Sequence, residues 1–193
     1  MKVESEIIQA KENRTLMEVV NKSIRKTIRS INYINEKMYI VIGVIIVFLS
    51  FMIFYDVLAR YFFHKPTSFG FDTSIWLTVV MAFVGGGYSQ LKNEHVRVDI
   101  FYEKFSDKGK SIVDLFTHLF IFLTVIPLVW WGGSHVLKLF EQGTVATSGL
   151  NISLWIKFLI VPFGGILLGL QALVTFYKDI YLIITGRKYE EDK

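Results

Sequence analysis

Four long apolar blocks leave this sequence few ways to fold. They lie at about residues 38–63, 69–90, 111–140 and 154–184 of a 193-residue chain. A helix needs about 20 apolar residues to cross the hydrocarbon of a bilayer. The first block contains VIGVIIVFLSFMIFY (residues 41–55), with no charge at all, and reaches that length by including DVLARYFF (residues 56–63). The chain is 52% hydrophobic, yet 20% of its residues are charged. Hydrophobicity is therefore gathered into blocks with charge between them, the pattern of a polytopic membrane protein and not of a soluble domain. The fold class implied is all-α, with four transmembrane helices and amphipathic interfacial helices beside them.

Charge at the block ends sets the expected orientation. The amino-terminal arm, residues 1–37, holds Lys2, Lys11, Arg14, Lys22, Arg25, Lys26, Arg29 and Lys37. The central stretch, residues 91–110, holds Lys92, Arg97, Lys104, Lys108 and Lys110, and the tail, residues 185–193, holds Arg187, Lys188 and Lys193. The other two connections are lean, with Arg60 and Lys65 at one and Lys138 and Lys157 flanking the other. The positive-inside rule then puts both termini and the central stretch in the cytoplasm. The net charge of +4 is modest and clusters at block ends, so it reads as a topology signal and not as a nucleic-acid footprint. There is no cysteine, which excludes disulfides, thiolate chemistry and cysteine-held metal. The first block follows a long charged arm and no cleavage site is visible, so it is expected to remain as an anchor.

The arm and the central stretch both carry helical patterns. Thr15 and Glu18 read as a capping box, and Met17, Val20, Ile24, Ile28 and Ile31 share one helical face. A basic amphipathic helix of this kind lies on an anionic membrane surface, or stands as a solvated helical arm. In the central stretch, Val98, Phe101, Tyr102 and Phe105 fall on one face of an expected interfacial helix at about residues 94–107. His64 to Ser68 reads as a tight turn around Pro66.

Ionisable groups inside spans usually mark function, and here they lie near span ends. Asp56 and Arg60 sit one turn apart on one face, as an ion pair would. Asp72 and Trp76 lie near the start of the second span, and Asp114 and His118 near the start of the third. Gly85, Gly86 and Gly87 allow close helix packing or a bend. Pro127 gives the long third span a cause for a kink. In the fourth span, Gly165-x-x-x-Gly169 is a small-residue contact pattern, and Gln171 is a polar side chain able to hydrogen-bond across helices. His95, Arg97 and Asp99 read either as a locally paired interface motif or as a docking point for a partner. No catalytic residue, cofactor site or metal site is expected. The four histidines lack metal spacing, the glycine run lacks a following Lys-Ser/Thr, and no nucleophile stands beside a base.

Together, DVLARYFF, Asp72, the glycine-ended second span, EHVRVD (residues 94–99) and PFGGILLGLQ (residues 162–171) resemble the small membrane subunit of tripartite ATP-independent periplasmic (TRAP) transporters, the DctQ-type proteins. The matching positions are Asp56, Arg60, Tyr61, His95, Arg97, Asp99, Pro162 and Gly164. The chain departs from the pattern at Phe69 and Asp72, where the family has tryptophan and glutamate, and at Asn151-Ile152, where a proline is common. The resemblance implies four transmembrane helices in a bacterial inner membrane and a larger membrane subunit as obligate partner. It also implies a periplasmic solute-binding protein and a sodium-coupled system for organic acids, in which this subunit is a scaffold and not an enzyme. Two other readings stay open, a haem-bearing membrane anchor of an oxidoreductase and a free-standing small transporter.

Overall fold

The structure, a computed structural model, describes residues 2–65, 67, 69–92, 105–146 and 152–189, with side chains from residue 22 onward except at 107. Its helices are α1 (Lys2–Phe63), α2 (Gly70–Leu91), α3 (Asp107–Gln142), α4 (Leu154–Phe158) and α5 (Ile160–Thr185). Four stretches are long and apolar enough to cross a membrane: Lys22–Phe63, Gly70–Leu91, Lys108–Gln142 and Leu154–Thr185. They run alternately up and down. The start of α2 meets the end of α1 through Gly70 and Asp56, Lys92 returns to Glu36, and the start of α3 meets the end of α5 through Ser111 and Asp179.

The arm and the first apolar block form one helix of 62 residues. Composition changes at residue 37 but helix propensity does not, because Glu, Lys, Ile and Ala upstream support a helix as well as the apolar residues that follow. The capping box at Thr15 therefore starts no helix, since α1 already runs from Lys2. Along α1 the inward positions repeat every seven residues. Ile28, Asn35, Ile42, Leu49 and Asp56 form one row, and Ile31, Met38, Ile45, Met52 and Ala59 form the other, all buried or half-buried. A repeat of 3.5 residues keeps a narrow seam against neighbouring helices that wind left-handed.

The bundle is organised around α5, which packs against both α2 and α3, while α1 packs mainly on α2. The buried face of α5 is built from small residues. A methyl group on Gly164 would stand 2.6 Å from Phe83 Cβ and 2.8 Å from its carbonyl oxygen, on α2. One on Gly169 would stand 2.8 Å from Val125, and one on Gly165 3.1 Å from Val129, both on α3. Glycine at these three positions lets two neighbouring backbones approach α5 from different sides.

The ends of the elements follow their chemistry. Ser106 caps α3, its hydroxyl accepting from Gly109 N–H at 3.3 Å. Gly143 (φ +59°) and Gly186 (φ +70°) close α3 and α5 in the left-handed conformation, which costs glycine nothing. α3 stays one helix through Pro127. The fourth span divides at Leu159 into α4 and α5, because Pro162 has no N–H for the Phe158 carbonyl and its ring crowds that position. A short antiparallel bridge, Val145 to Ser153, closes the connection between α3 and α4.

Candidate functional site

The polar side chains gather at the two ends of the bundle. At the end of α1, Arg60 Nη2 donates to Asp56 Oδ2 at 3.2 Å. The other Asp56 oxygen accepts from the Thr67 backbone N–H at 2.8 Å and from the Thr67 hydroxyl. Asp56 thus fastens the α1–α2 turn as well as pairing with Arg60. Gly70 is buried against it, where a methyl group would come within 3.2 Å of Oδ1. Tyr61 is exposed beside this pair.

At the same end, Asp72 faces Lys157 of α4 across 3.9 Å, and Trp76 Nε1 donates to the Lys157 carbonyl at 3.2 Å. The turn spacing of Asp72 and Trp76 is therefore explained by a shared partner on another element.

Two clusters occupy the opposite end. Gln171 of α5 accepts from Asn35 Nδ2 and donates to Asn32 Oδ1, each at 3.0 Å. The Asn35 side chain lies directly on Gly87 of α2, so α1, α2 and α5 meet at one polar point. In the second cluster His118 is 2% exposed. Its Nδ1 lies against the Asp114 carbonyl and 3.9 Å from Asp179 Oδ2, and its Nε2 is 3.4 Å from the Gln90 amide nitrogen. Ser111 Oγ donates to Asp179 Oδ1 at 3.0 Å. This second cluster ties α2, α3 and α5.

Of the residues singled out in the sequence, the structure brings Asp56 and Arg60 together and places Asp72, Gln171 and the three glycines at helix contacts. Pro162 is buried at the first turn of α5. His95, Arg97, Asp99 and the expected interfacial helix up to residue 104 lie outside the described residues. Sequence reasoning missed Thr67, Asn32, Asn35, Gln90, Ser111 and Asp179. The available signal was a polar residue within or bordering an apolar block, which Gln90 and Asp179 share with Gln171. Among the described residues no three His, Cys, Asp or Glu side chains come together as a metal site requires. The arrangement can do mechanical work on helices: each cluster ties separate elements, and large apolar side chains cover the outward faces of α1 and α3.

Residues 37–181 match the family described as the DctQ component of tripartite ATP-independent periplasmic transporters. The chain is 25% identical over 144 residues to the ectoine TRAP transporter small permease protein TeaB of Halomonas elongata, an alignment covering 70% of this chain and 74% of that protein. A four-span helical bundle with its polar groups at the ends thus carries a family match over three quarters of its length, and the chain belongs to the DctQ component family of TRAP transporters.

Proposed function

We propose that this TRAP small subunit is a non-catalytic scaffold in a sodium-coupled transporter for organic-acid-like solutes. It braces the large membrane subunit and offers its Arg60 end to the periplasmic solute-binding protein, with both termini in the cytoplasm. The observation that carries this reading is the placement of polar groups. The buried Asn35, Gln90, His118 and Gln171 hold helix to helix, and the outward faces of α1 and α3 are apolar surface for lipid or another membrane protein. Orientation rests on charge. Arg25, Arg29, Lys92, Lys110 and Arg187 lie at the end away from Arg60, which is the cytoplasmic end by the positive-inside rule. The relative's name gives ectoine as its solute; for this chain we assign the wider class.

Reconstitution tests the reading. Vesicles holding this chain, the large subunit and the binding protein should take up a labelled organic acid only under an inward sodium gradient. Flux through vesicles holding this chain alone would instead make it a free-standing transporter. A Soret band in the purified chain would favour the haem anchor. Because the chain has no cysteine, Lys65→Cys and Lys92→Cys report orientation directly. A membrane-impermeant maleimide should label position 65 in spheroplasts and position 92 only after permeabilisation; the reverse order would invert the topology.

A further inference from the structure

A groove runs between α1 and α2 below the Asp56–Arg60 pair, with a volume of about 590 Å³. Ile53 and Val57 line it from α1, and Phe71, Ile75 and Val79 from α2. Ser74 and Thr78 also face it, but their hydroxyls are turned back onto their own helix. They donate to the Gly70 and Ser74 carbonyls at 2.7 Å and 2.8 Å, a local pairing that leaves little polar surface to solvate. The wall is thus apolar in effect and low in bulk.

The mouth of the groove is cationic. Both Asp56 oxygens are engaged by Thr67 and Arg60. The Arg60 side chain is 63% exposed, and a guanidinium has five N–H donors, of which Asp56 takes one. Lys65 is exposed in the turn that follows, a second cation close in sequence to this mouth.

Depth identifies the occupant. α1 ends three residues beyond Arg60, which sets the guanidinium at headgroup level. From Arg60 to Ile53 the groove descends about 10 Å along α1, and from Phe71 to Val79 about 12 Å along α2. Half of a bilayer's hydrocarbon is about 15 Å thick. A cation above an apolar channel of nearly one leaflet's depth matches a phosphate above an acyl chain.

We propose that the α1–α2 groove is a phospholipid site, with the lipid phosphate on the Arg60 guanidinium and one acyl chain lying along Val57 and Ile75. Arginine suits this role because its planar fork pairs with phosphate oxygens bidentately. A bound lipid would fill the space between the two helices next to the Asp56–Arg60 pair.

The full chain in phosphatidylcholine vesicles tests this. Val57→Cys carries a fluorophore in the groove, and Leu137→Cys carries the same fluorophore on an exposed face of α3 near the same end. Quenching is measured with brominated phosphatidylglycerol and with brominated diacylglycerol, which has the tails without the phosphate. Position 57 should favour the phospholipid by about fivefold over position 137, the scale of one basic side chain acting on an anionic headgroup. Arg60→Gln should bring position 57 down to the ratio at position 137. Ser74→Leu, which fills the groove and keeps the cation, should do the same, and it provides the answer if Arg60→Gln does not fold. Equal ratios at both positions, or ratios unchanged in these variants, would overturn the proposal. So would loss of lipid quenching at position 57 when the large subunit is co-reconstituted, which would make the groove a protein contact.

Discussion

At the scale of single residues, the bundle depends on where side chains are absent and where amides meet. Gly164 is a tight contact between α5 and α2, and a methyl group there meets both the side chain and the backbone of Phe83. Gly164→Ala should destabilise the protein by about 1–3 kcal/mol, the usual cost of overpacking a close contact. Gly133 has open space where a methyl group would go, so Gly133→Ala should be neutral or slightly stabilising through helix propensity. Thermal unfolding in one detergent separates the two, and equal losses would mean that the α2–α5 contact is not tight. Gln171 makes the complementary case. Replacing it with leucine removes one hydrogen bond from each of two asparagine side chains at a buried point, at a cost of about 1–3 kcal/mol. A double-mutant cycle pairing Asn35→Ala with Gln171→Ala should show a coupling of about 0.6–1.7 kcal/mol, the range for hydrogen bonds between membrane helices. Zero coupling would make the observed pair incidental.

At the scale of elements, α1 joins two ties that lie far apart on one helix face. Asn35 reaches Gln171 at one end and Asp56 reaches Thr67 at the other, and both belong to the same seven-residue row. One alanine inserted after Ser50 would rotate everything beyond it by about 100° relative to what precedes it. One of the two ties must then be lost. Ser50 is itself exposed, with its hydroxyl bonded to the Ile46 carbonyl. The insertion should therefore abolish the monodisperse peak in fluorescence-detected size exclusion, whereas Ser50→Ala should keep it. The same helix shows what a reader of the sequence can and cannot see. Asp56 and Arg60 were legible because their spacing of four residues fixes their geometry within any helix. Asp72 and Lys157 were not, because 85 residues of chain separate them and only packing brings α4 beside α2. Gln171 stood out as a polar residue in an apolar block, but its partners sat among polar neighbours in the arm, where Asn32 and Asn35 carry no contrast. The break at Leu159 shows the opposite limit. Pro162 was visible, but a proline alone does not say whether a helix continues through it, as α3 does at Pro127, or divides.

At the scale of the whole molecule, α1 and α5 run past the end of α2. α2 has 22 residues, close to the 20 or so that cross the hydrocarbon. Glu36 pairs with Lys92 just past the end of α2, at 3.7 Å, so the residues of α1 before it project beyond that end. α5 likewise continues for 14 residues after Gln171 to Thr185. The overhang is packed and not merely helical. Ile28 is only 4% exposed, Asn32 bonds to Gln171, and Tyr177 and Tyr181 hold Tyr189 edge-on at 5.8 Å and 5.3 Å between centroids. A helix in water with no tertiary contact exchanges its amide hydrogens quickly, because short isolated helices are marginally stable. Packing predicts the opposite here. Amides of residues 24–35 should exchange slowly although they lie outside the hydrocarbon. Ile28→Glu places a charge in the buried seam and should speed exchange across residues 22–32 by about tenfold or more, since each tenfold corresponds to about 1.4 kcal/mol of lost protection and a buried charge costs more than that. Exchange in α2, anchored within the membrane, should not change. Hydrogen–deuterium exchange with peptide mass spectrometry reads both regions at once, and fast exchange of residues 24–35 in the unaltered chain would show the overhang to be an unsupported extension of α1.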